Sequence, residues 1–245
     1  MTCGRGWSLR RTDGGGVVVT DVVELALPFR GTWRVENSPA RRVPSHGTHL
    51  FATTYAIDFV AVRDGRSASV RDWRTALGTE PPERFVGFGV PVLAPASGRV
   101  VAIHDGEPDH EARRSPSALI GYALTQAARA RSGAGALAGN HVIVELDRGR
   151  AGTRAFVVLA HLRAGSPVVA VGDRVATGQQ VGACGNSGNS TQPHVHVQAM
   201  DGLDPYAAHG LPITFTAFRR WPRRRGVPVM VDRGVPGEAD VVEPV

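Results

Sequence analysis

Lysine is absent from the 245-residue sequence, so all 28 of its basic residues are arginines. We interpret this bias as a property of genome composition rather than of mechanism. With 22 acidic residues the chain carries a net charge of +6, which permits anionic partners but selects none. The arginine-rich run 219–225 is interpreted as a solvated basic surface, and nucleic acid is not expected as a partner.

Cysteine is nearly absent as well, with only Cys3 and Cys184. Two cysteines this far apart form no C-x-x-C metal or redox motif, and one of them lies in the N-terminal segment, so we expect no structural disulfide. The motif H-E-x-x-H is also missing, which excludes the metalloproteases that carry two zinc ligands and a glutamate base on one helix.

Long apolar runs are missing too. No stretch approaches 18 apolar residues, so no transmembrane helix is predicted. The segment Val17–Leu27 is interrupted by polar and acidic residues that the apolar core of a signal peptide would not contain. As read, the sequence predicts a cytoplasmic protein, or a cell-wall or extracellular one if a leader precedes it.

The sequence contains many short apolar runs separated by glycine, proline and aspartate. This pattern is typical of a mostly β protein, and we predict an antiparallel β-sandwich. A hairpin with a turn at Ser97-Gly98 is part of it, and Ser115-Pro116 begins a predicted helical insertion at about 107–135. We predict an N-terminal extension at 1–43, a central domain at 44–200 and an Arg/Pro-rich segment at 201–245 that contains one strand and ends in a frayed tail, Glu238–Val245.

The most informative motif is Pro193-His194-Val195-His196-Val197-Gln198. Side chains alternate along a strand, so His194 and His196 point to the same face with Cα atoms about 6–7 Å apart. Two imidazoles in this arrangement suit a metal ion or a substrate. An exposed structural pair is the alternative for this motif taken alone.

Further metal-compatible residues lie elsewhere. Asp58 stands in the apolar alternation Tyr55–Val60, where a buried carboxylate is costly unless it is paired or bound to a cation. A salt bridge to an arginine is its alternative role. His46 and His49 lie in a loop, and His161 ends an apolar run. Three His or Asp ligands with an open water position form the composition of a catalytic zinc site.

Together these segments resemble the M23 peptidases, the LytM/lysostaphin-type zinc metallopeptidases. The resemblance covers about Pro44–Met200 and rests on the order of several motifs: Gly89–Val100 (G-x-P-V-x-A-P-x-x-G-x-V), Gly139–Val144 (G-N-x-V-x-I), Leu159–Leu162 (Y-x-H-L), Val171–Gly182 (V-x-x-G-D-x-V-x-x-G-Q-x-I-G) and Gly185–His196 (G-N-S-G-N-S-T-x-P-H-x-H). It implies the duplicated-hybrid-motif, LytM-like form of the β-sandwich.

The resemblance also implies roles for individual residues. Asp58 and His196 match zinc ligands, whereas His161 and His194 match catalytic histidines. The family commonly places a ligand histidine four residues before the aspartate, where this sequence has Thr54. We therefore expect His46 to be the third ligand, with His49 as the alternative.

The implied activity is zinc-dependent hydrolysis of peptide bonds, with peptidoglycan cross-links as the substrate class. Bound Zn²⁺ would lower the pKa of a water toward about 7, with His161 and His194 beside it. We expect Gln198 to orient the histidines from behind. Two alternatives remain, which are an inactive LytM-like binding or regulatory module and a phosphocarrier of the same fold.

Overall fold

The structure is a computed structural model that describes residues 22–68, 75, 78–113, 115, 133–147, 154–222 and 226–245. These residues form mainly β-strands, which confirms the predicted fold class. The strands are β1 (Val23–Leu25), β2 (Trp33–Glu36), β3 (Ile57–Ala61), β4 (Pro91–Leu93), β5 (Gly98–His104), β6 (Asn140–Leu146), β7 (Phe156–Leu162), β8 (Arg174–Val175), β9 (Gln180–Ala183), β10 (Val195–Met200), β11 (Gly210–Leu211), β12 (Ile213–Trp221), β13 (Val229–Gly234) and β14 (Val241–Pro244). Short 3₁₀ segments occupy Leu50–Tyr55 and Pro82–Arg84, and one α-helical turn, α1, spans Ala134–Ala138.

Within the described residues, twelve strands join in one sheet and β4 pairs with β9 in a second. The large sheet runs β1-β12-β14-β2-β3-β10-β7-β6-β5-β8, with β11 beside β10 and β13 beside β12. Its pairings are antiparallel apart from the parallel pair of β1 and β12. The predicted hairpin across Ser97-Gly98 is wrong, because β4 pairs with β9 whereas β5 pairs with β6 and β8.

The main core lies between the large sheet and the β4–β9 pair. Ile57 and Phe59 of β3 pack in this core, as do Val195 and Val197 of β10. Because side chains alternate along a strand, Asp58 and the residues that alternate with those valines face the opposite side of the sheet. Because of this alternation, the central strands bury apolar side chains on one face and carry polar side chains, including Asp58, on the other.

The predicted helical insertion falls mostly outside the described residues. Of the range 107–135, residues 107–113 contain no helix, residues 114 and 116–132 lie outside the description, and α1 begins at Ala134. No helix of the described residues is long and apolar enough to span a membrane.

The C-terminal residues are ordered in the sheet, so the predicted frayed tail is wrong. β14 lies between β12 and β2, with Val241 opposite Trp221 and Arg34. Burial of Val241 and Val242 explains why these residues form a strand rather than a tail. Strands from the segments 1–43 and 201–245 thus pair directly with each other, and the domain boundaries proposed for them stay predictions.

Candidate metal centre

The register of three central strands brings the main polar residues together. Asp58 of β3 lies directly opposite His196 of β10, and His196 lies opposite Ala160 of β7. Opposed residues on antiparallel strands have Cβ atoms about 4.5–5.5 Å apart. Sheet pairing itself therefore fixes the approach of Asp58 to His196.

His161 joins this face because of a β-bulge. Asn140 pairs with Leu162 and Val142 pairs with Leu159, so two residues of β7 stand opposite one residue of β6. His161 has a φ of +60°, a left-handed conformation that a regular strand does not contain. Both Leu159 and Leu162 pack in the core, so the bulge turns His161 onto the face of Ala160.

His46 reaches the same place from the loop before β3. Its Nε2 lies 3.1 Å from Oδ2 of Asp58, and Nδ1 of His196 lies 2.9 Å from Oδ1 of the same carboxylate. The ligand atoms of these three residues lie within 4.8 Å of one another. His49 is exposed and its Nδ1 lies 3.1 Å from the Thr54 hydroxyl, away from this cluster.

The hydrogen-bond partners assign the tautomers of the two ligand candidates. The amide of Gln198 donates to the Phe51 carbonyl, so its Oε1 accepts from Nε2–H of His196. The Ser45 hydroxyl donates to the Thr53 carbonyl, so it accepts from Nδ1–H of His46. In their neutral forms both imidazoles therefore direct a lone pair at Asp58.

Hydrogen bonds also assign the tautomers of the two catalytic candidates, His161 and His194, because Nδ1 of each contacts a backbone carbonyl. Nδ1–H of His161 donates to the Ser187 carbonyl at 2.9 Å. Nδ1–H of His194 donates to the Gln192 carbonyl at 2.8 Å, with the Ser190 hydroxyl at 2.9 Å. The Nε2 lone pairs of both residues are thus free to face the cluster, and that of His194 lies 3.7 Å from Asp58 Oδ1.

Charges around Asp58 favour the ionised carboxylate. Burial alone would raise its pKa, but the charges of His46 and His194 and the hydrogen bonds from His196 and His46 hold the pKa well below its usual value. Burial opposes protonation of His196, yet the hydrogen bond and the charge of Asp58 raise its pKa. This part of the site therefore favours positive charge beside Asp58, whether a proton or a metal ion supplies it.

His161 is the opposite case. Burial lowers its pKa well below the usual value, and the neighbouring His194 and His196 lower it further. The centres of the His161 and His194 rings are 4.6 Å apart, so two protonated rings would repel each other strongly. His161 is therefore a neutral imidazole near pH 7, able to accept a proton at Nε2.

The donor set fits a bound cation. Two imidazole lone pairs and a carboxylate meet within hydrogen-bond distance, so acceptors face acceptors unless a proton or a metal ion stands between them. The two contacts end on different oxygens of Asp58, Oδ1 for His196 and Oδ2 for His46, so both imidazoles face the carboxylate that would supply the oxygen ligand of a zinc ion. The side chains of Asp58 and His196 are 7% and 10% exposed, which leaves an opening to solvent.

Two features of the site have no signal in the sequence. Nδ2 of Asn37 donates to Oδ2 of Asp58 at 2.8 Å, from a residue in the predicted N-terminal extension. Asp109 accepts hydrogen bonds from the backbone N–H groups of Asn186 and Ala164, at 2.6 and 3.0 Å. These two hydrogen bonds stabilise the loop that contains Ser187, whose carbonyl accepts a hydrogen bond from His161.

Part of the chain is similar to a known protein family. Residues 122–207, about a third of the chain, match the model described as Peptidase family M23. This match confirms the resemblance to the LytM/lysostaphin-type M23 peptidases that the sequence motifs indicate. His161, His194 and His196 lie inside the matched segment, whereas His46 and Asp58 precede it. No curated protein matches the chain significantly.

Several solved structures are similar to the chain. The catalytic domain of the prophage-encoded M23 protein EnpA from Enterococcus faecalis is 18% identical, with 64% of this chain and 73% of that chain covered and a TM-score of 0.36. The catalytic domain of lysostaphin from Staphylococcus simulans is 18% identical, with 67% and 86% covered and a TM-score of 0.36. A zinc-containing peptidase from Vibrio cholerae is 16% identical, with 59% and 46% covered and a TM-score of 0.30.

Proposed function

We propose that the chain is a zinc-dependent endopeptidase that hydrolyses peptide bonds in peptidoglycan cross-links. The observation that carries the proposal is the convergence of inward-facing imidazole lone pairs on one ionised carboxylate, inside a site that contains the histidines of the M23 match. The family supplies the reaction and the substrate class, and the donor set supplies the reason for a metal.

In this proposal His46, Asp58 and His196 hold Zn²⁺. The bound ion would supply a Lewis acid that activates a water molecule and polarises the scissile carbonyl. Two imidazoles and one carboxylate leave one position open for these reactants, which is the composition of catalytic rather than structural zinc sites.

In this proposal His161 and His194 accept and donate the protons that move during hydrolysis. Each has its Nδ1–H bonded to a backbone carbonyl, so Nε2 is the atom that accepts a proton from the attacking water. The resulting imidazolium can then donate to the developing oxyanion or to the departing amine. The depressed pKa of His161 keeps this residue in its accepting form at neutral pH.

The deciding experiment measures zinc binding and peptide cleavage separately. Zinc affinity is determined by calorimetry on metal-free protein, and cleavage is followed as new amino groups released from purified cross-linked peptidoglycan. We expect one zinc ion per chain and turnover in the wild type. His196→Ala should lose both, whereas His194→Ala should keep zinc and lose about 10²-fold or more of the turnover.

His49→Ala is the matched control, since His49 is an exposed histidine of the same loop as His46 and lies outside the cluster. It should keep both properties. Absence of saturable zinc binding in the wild type would contradict the proposal. Zinc binding without cleavage of any peptidoglycan would instead favour the inactive binding module.

A further inference from the structure

Asn37 lies outside the predicted central domain, and its side chain donates a hydrogen bond to the candidate ligand Asp58, which pairs across the strands with the neighbouring Glu36. It follows β2 directly, and its Nδ2 lies 2.8 Å from Oδ2 of the carboxylate. The nitrogen, rather than the amide oxygen, must face Asp58 because a carboxylate only accepts hydrogen bonds. Asn37 therefore donates to the same oxygen that His46 approaches.

This hydrogen bond differs in kind from the other contacts of Asp58. His46 and His196 donate to the carboxylate only in their protonated forms, because their neutral forms offer it lone pairs. An amide N–H remains a donor at every pH and carries no charge. Asn37 can therefore keep Oδ2 in place in both the presence and the absence of a metal ion.

The backbone fixes Asn37 in this position. Its φ of +52° is a left-handed conformation that asparagine tolerates better than most residues. The next residue, Ser38, is buried; its N–H donates to Glu238 Oε2 at 2.9 Å and its hydroxyl donates to the Pro236 carbonyl at 2.6 Å. The segment before β14 thus anchors the turn that presents the Asn37 amide to Asp58.

We propose that Asn37 is a positioning residue for the metal centre, which holds Asp58 so that its carboxylate stands between His46 and His196. This inference rests on the proposed zinc function. Residues behind a ligand typically contribute 10–100-fold to metal affinity by orienting that ligand. The N-terminal extension and the C-terminal strand would then complete a site whose histidines lie largely in the M23 segment.

The test measures zinc affinity by competition with a chromophoric chelator. The chosen variant is Asn37→Gly, because glycine keeps the left-handed backbone without strain and removes only the amide side chain. We expect its zinc dissociation constant to rise about 10- to 100-fold, and the melting temperature of the zinc-free protein to fall because one hydrogen bond to a buried carboxylate is lost. Asn37→Ala, which strains the backbone as well, should show the same loss of affinity and a still lower melting temperature.

Arg41→Ala is the control, since Arg41 is exposed and contacts Glu238 from the same turn without touching Asp58. Its zinc affinity should equal that of the wild type. Wild-type affinity in Asn37→Gly would overturn the inference and leave the proposed function standing. Faster cleavage by Asn37→Gly at unchanged affinity would also overturn it, since Asn37 would then obstruct the site. A wild type without zinc binding would overturn the proposed function itself.

Discussion

Asp58 and His196 are opposite each other on the antiparallel strands β3 and β10, with Oδ1 and Nδ1 2.9 Å apart. This pair is held by backbone pairing and by buried valines and isoleucine on the reverse face of the same strands. Little side-chain freedom is left to lose when a metal ion binds. Such preorganisation is what a binding site needs in order to retain the free energy of its contacts.

The charge of Asp58 should be visible in the titration of His196. In zinc-free Asp58→Asn, we expect the pKa of His196 to fall relative to the wild type, because the hydrogen bond and the charge that raise it are both lost. NMR titration of the imidazole signals measures this shift. Asp201→Asn is the control, since Asp201 contacts only the exposed His209 among the histidines. An unchanged His196 pKa in Asp58→Asn would contradict the structure.

His161 should make the zinc-free protein less stable at acid pH. The pKa of His161 in the folded state lies well below 6.5. Below about pH 6.5 this imidazole is therefore protonated in the unfolded chain but not in the folded chain. The free energy of unfolding therefore falls as pH decreases from about 7.5 to 5, by at most about 1.4 kcal/mol per pH unit for this one proton. Urea unfolding at several pH values should show a shallower slope for His161→Gln than for the wild type.

His209→Gln serves as the control for that comparison. His209 is exposed and lies outside the cluster, so His209→Gln measures the effect of removing a histidine that does not contact His161. The lowered pKa of His141 affects the wild type and both variants alike, whereas His194 and His196 interact with His161, so the difference in slope reports His161 together with these two contacts. Equal slopes for the wild type and His161→Gln would show that His161 titrates normally.

Cys184 should be chemically inert in the folded protein. Its side chain is fully buried, and burial together with the nearby Asp109 raises the pKa of the thiol far above physiological pH. Reactivity requires the thiolate, so we expect no reaction with a thiol reagent at pH 8 until the chain unfolds. The measurement uses Cys3→Ser, which leaves Cys184 as the single thiol, and compares native protein with protein in denaturant. Rapid modification of the native form would contradict this burial.

Much of the site could be predicted from the sequence because its strands alternate regularly. The H-x-H spacing places His194 and His196 on one face, and the apolar alternation around Asp58 predicts its buried position. The structure also places His46, rather than His49, in the cluster. By contrast, the position of the His161 side chain depends on a β-bulge in β7. An apolar sequence does not indicate where a strand contains the extra residue of such a bulge.

The termini were harder to predict for a related reason. β14 is a four-residue strand whose pairing with β2 joins residues about 200 positions apart. Local pattern carries no information on such a partner, so the segment resembles a tail. The same long-range pairing explains why Asn37 had no signal, since its contact with Asp58 depends on an anchor made by the C-terminal segment.

Asp109 should stabilise the loop behind His161. Its carboxylate accepts two backbone N–H groups, and hydrogen bonds to a charged group are each worth about 1.5–3 kcal/mol, less where solvent reaches them. We expect Asp109→Ala to lower the free energy of unfolding by about 1–3 kcal/mol and to slow cleavage. Asp105→Ala is the matched control, since exposed Asp105 accepts from Gly165 N–H and from its neighbour Gly106. Equal effects of the two variants in urea unfolding would contradict the assignment.

Gly139 offers the sharpest test of the contact between α1 and the loop of Ser187. Its φ of +61° and ψ of −147° belong to a region that is essentially restricted to glycine, and a Cβ would lie 2.6 Å from both the carbonyl carbon and the Oγ of Ser187. Gly139→Ala should therefore lose at least about 2 kcal/mol of stability. Because Ser187 must move, the hydrogen bond from His161 Nδ1 should weaken, and kcat should fall more than the loss of folded protein explains.

Gly135→Ala is the control in α1 itself, where a Cβ meets nothing within 4 Å, and its stability should stay within about 1 kcal/mol of the wild type. Similar melting temperatures and rates for the two variants would show that the Ser187 loop does not depend on this close approach.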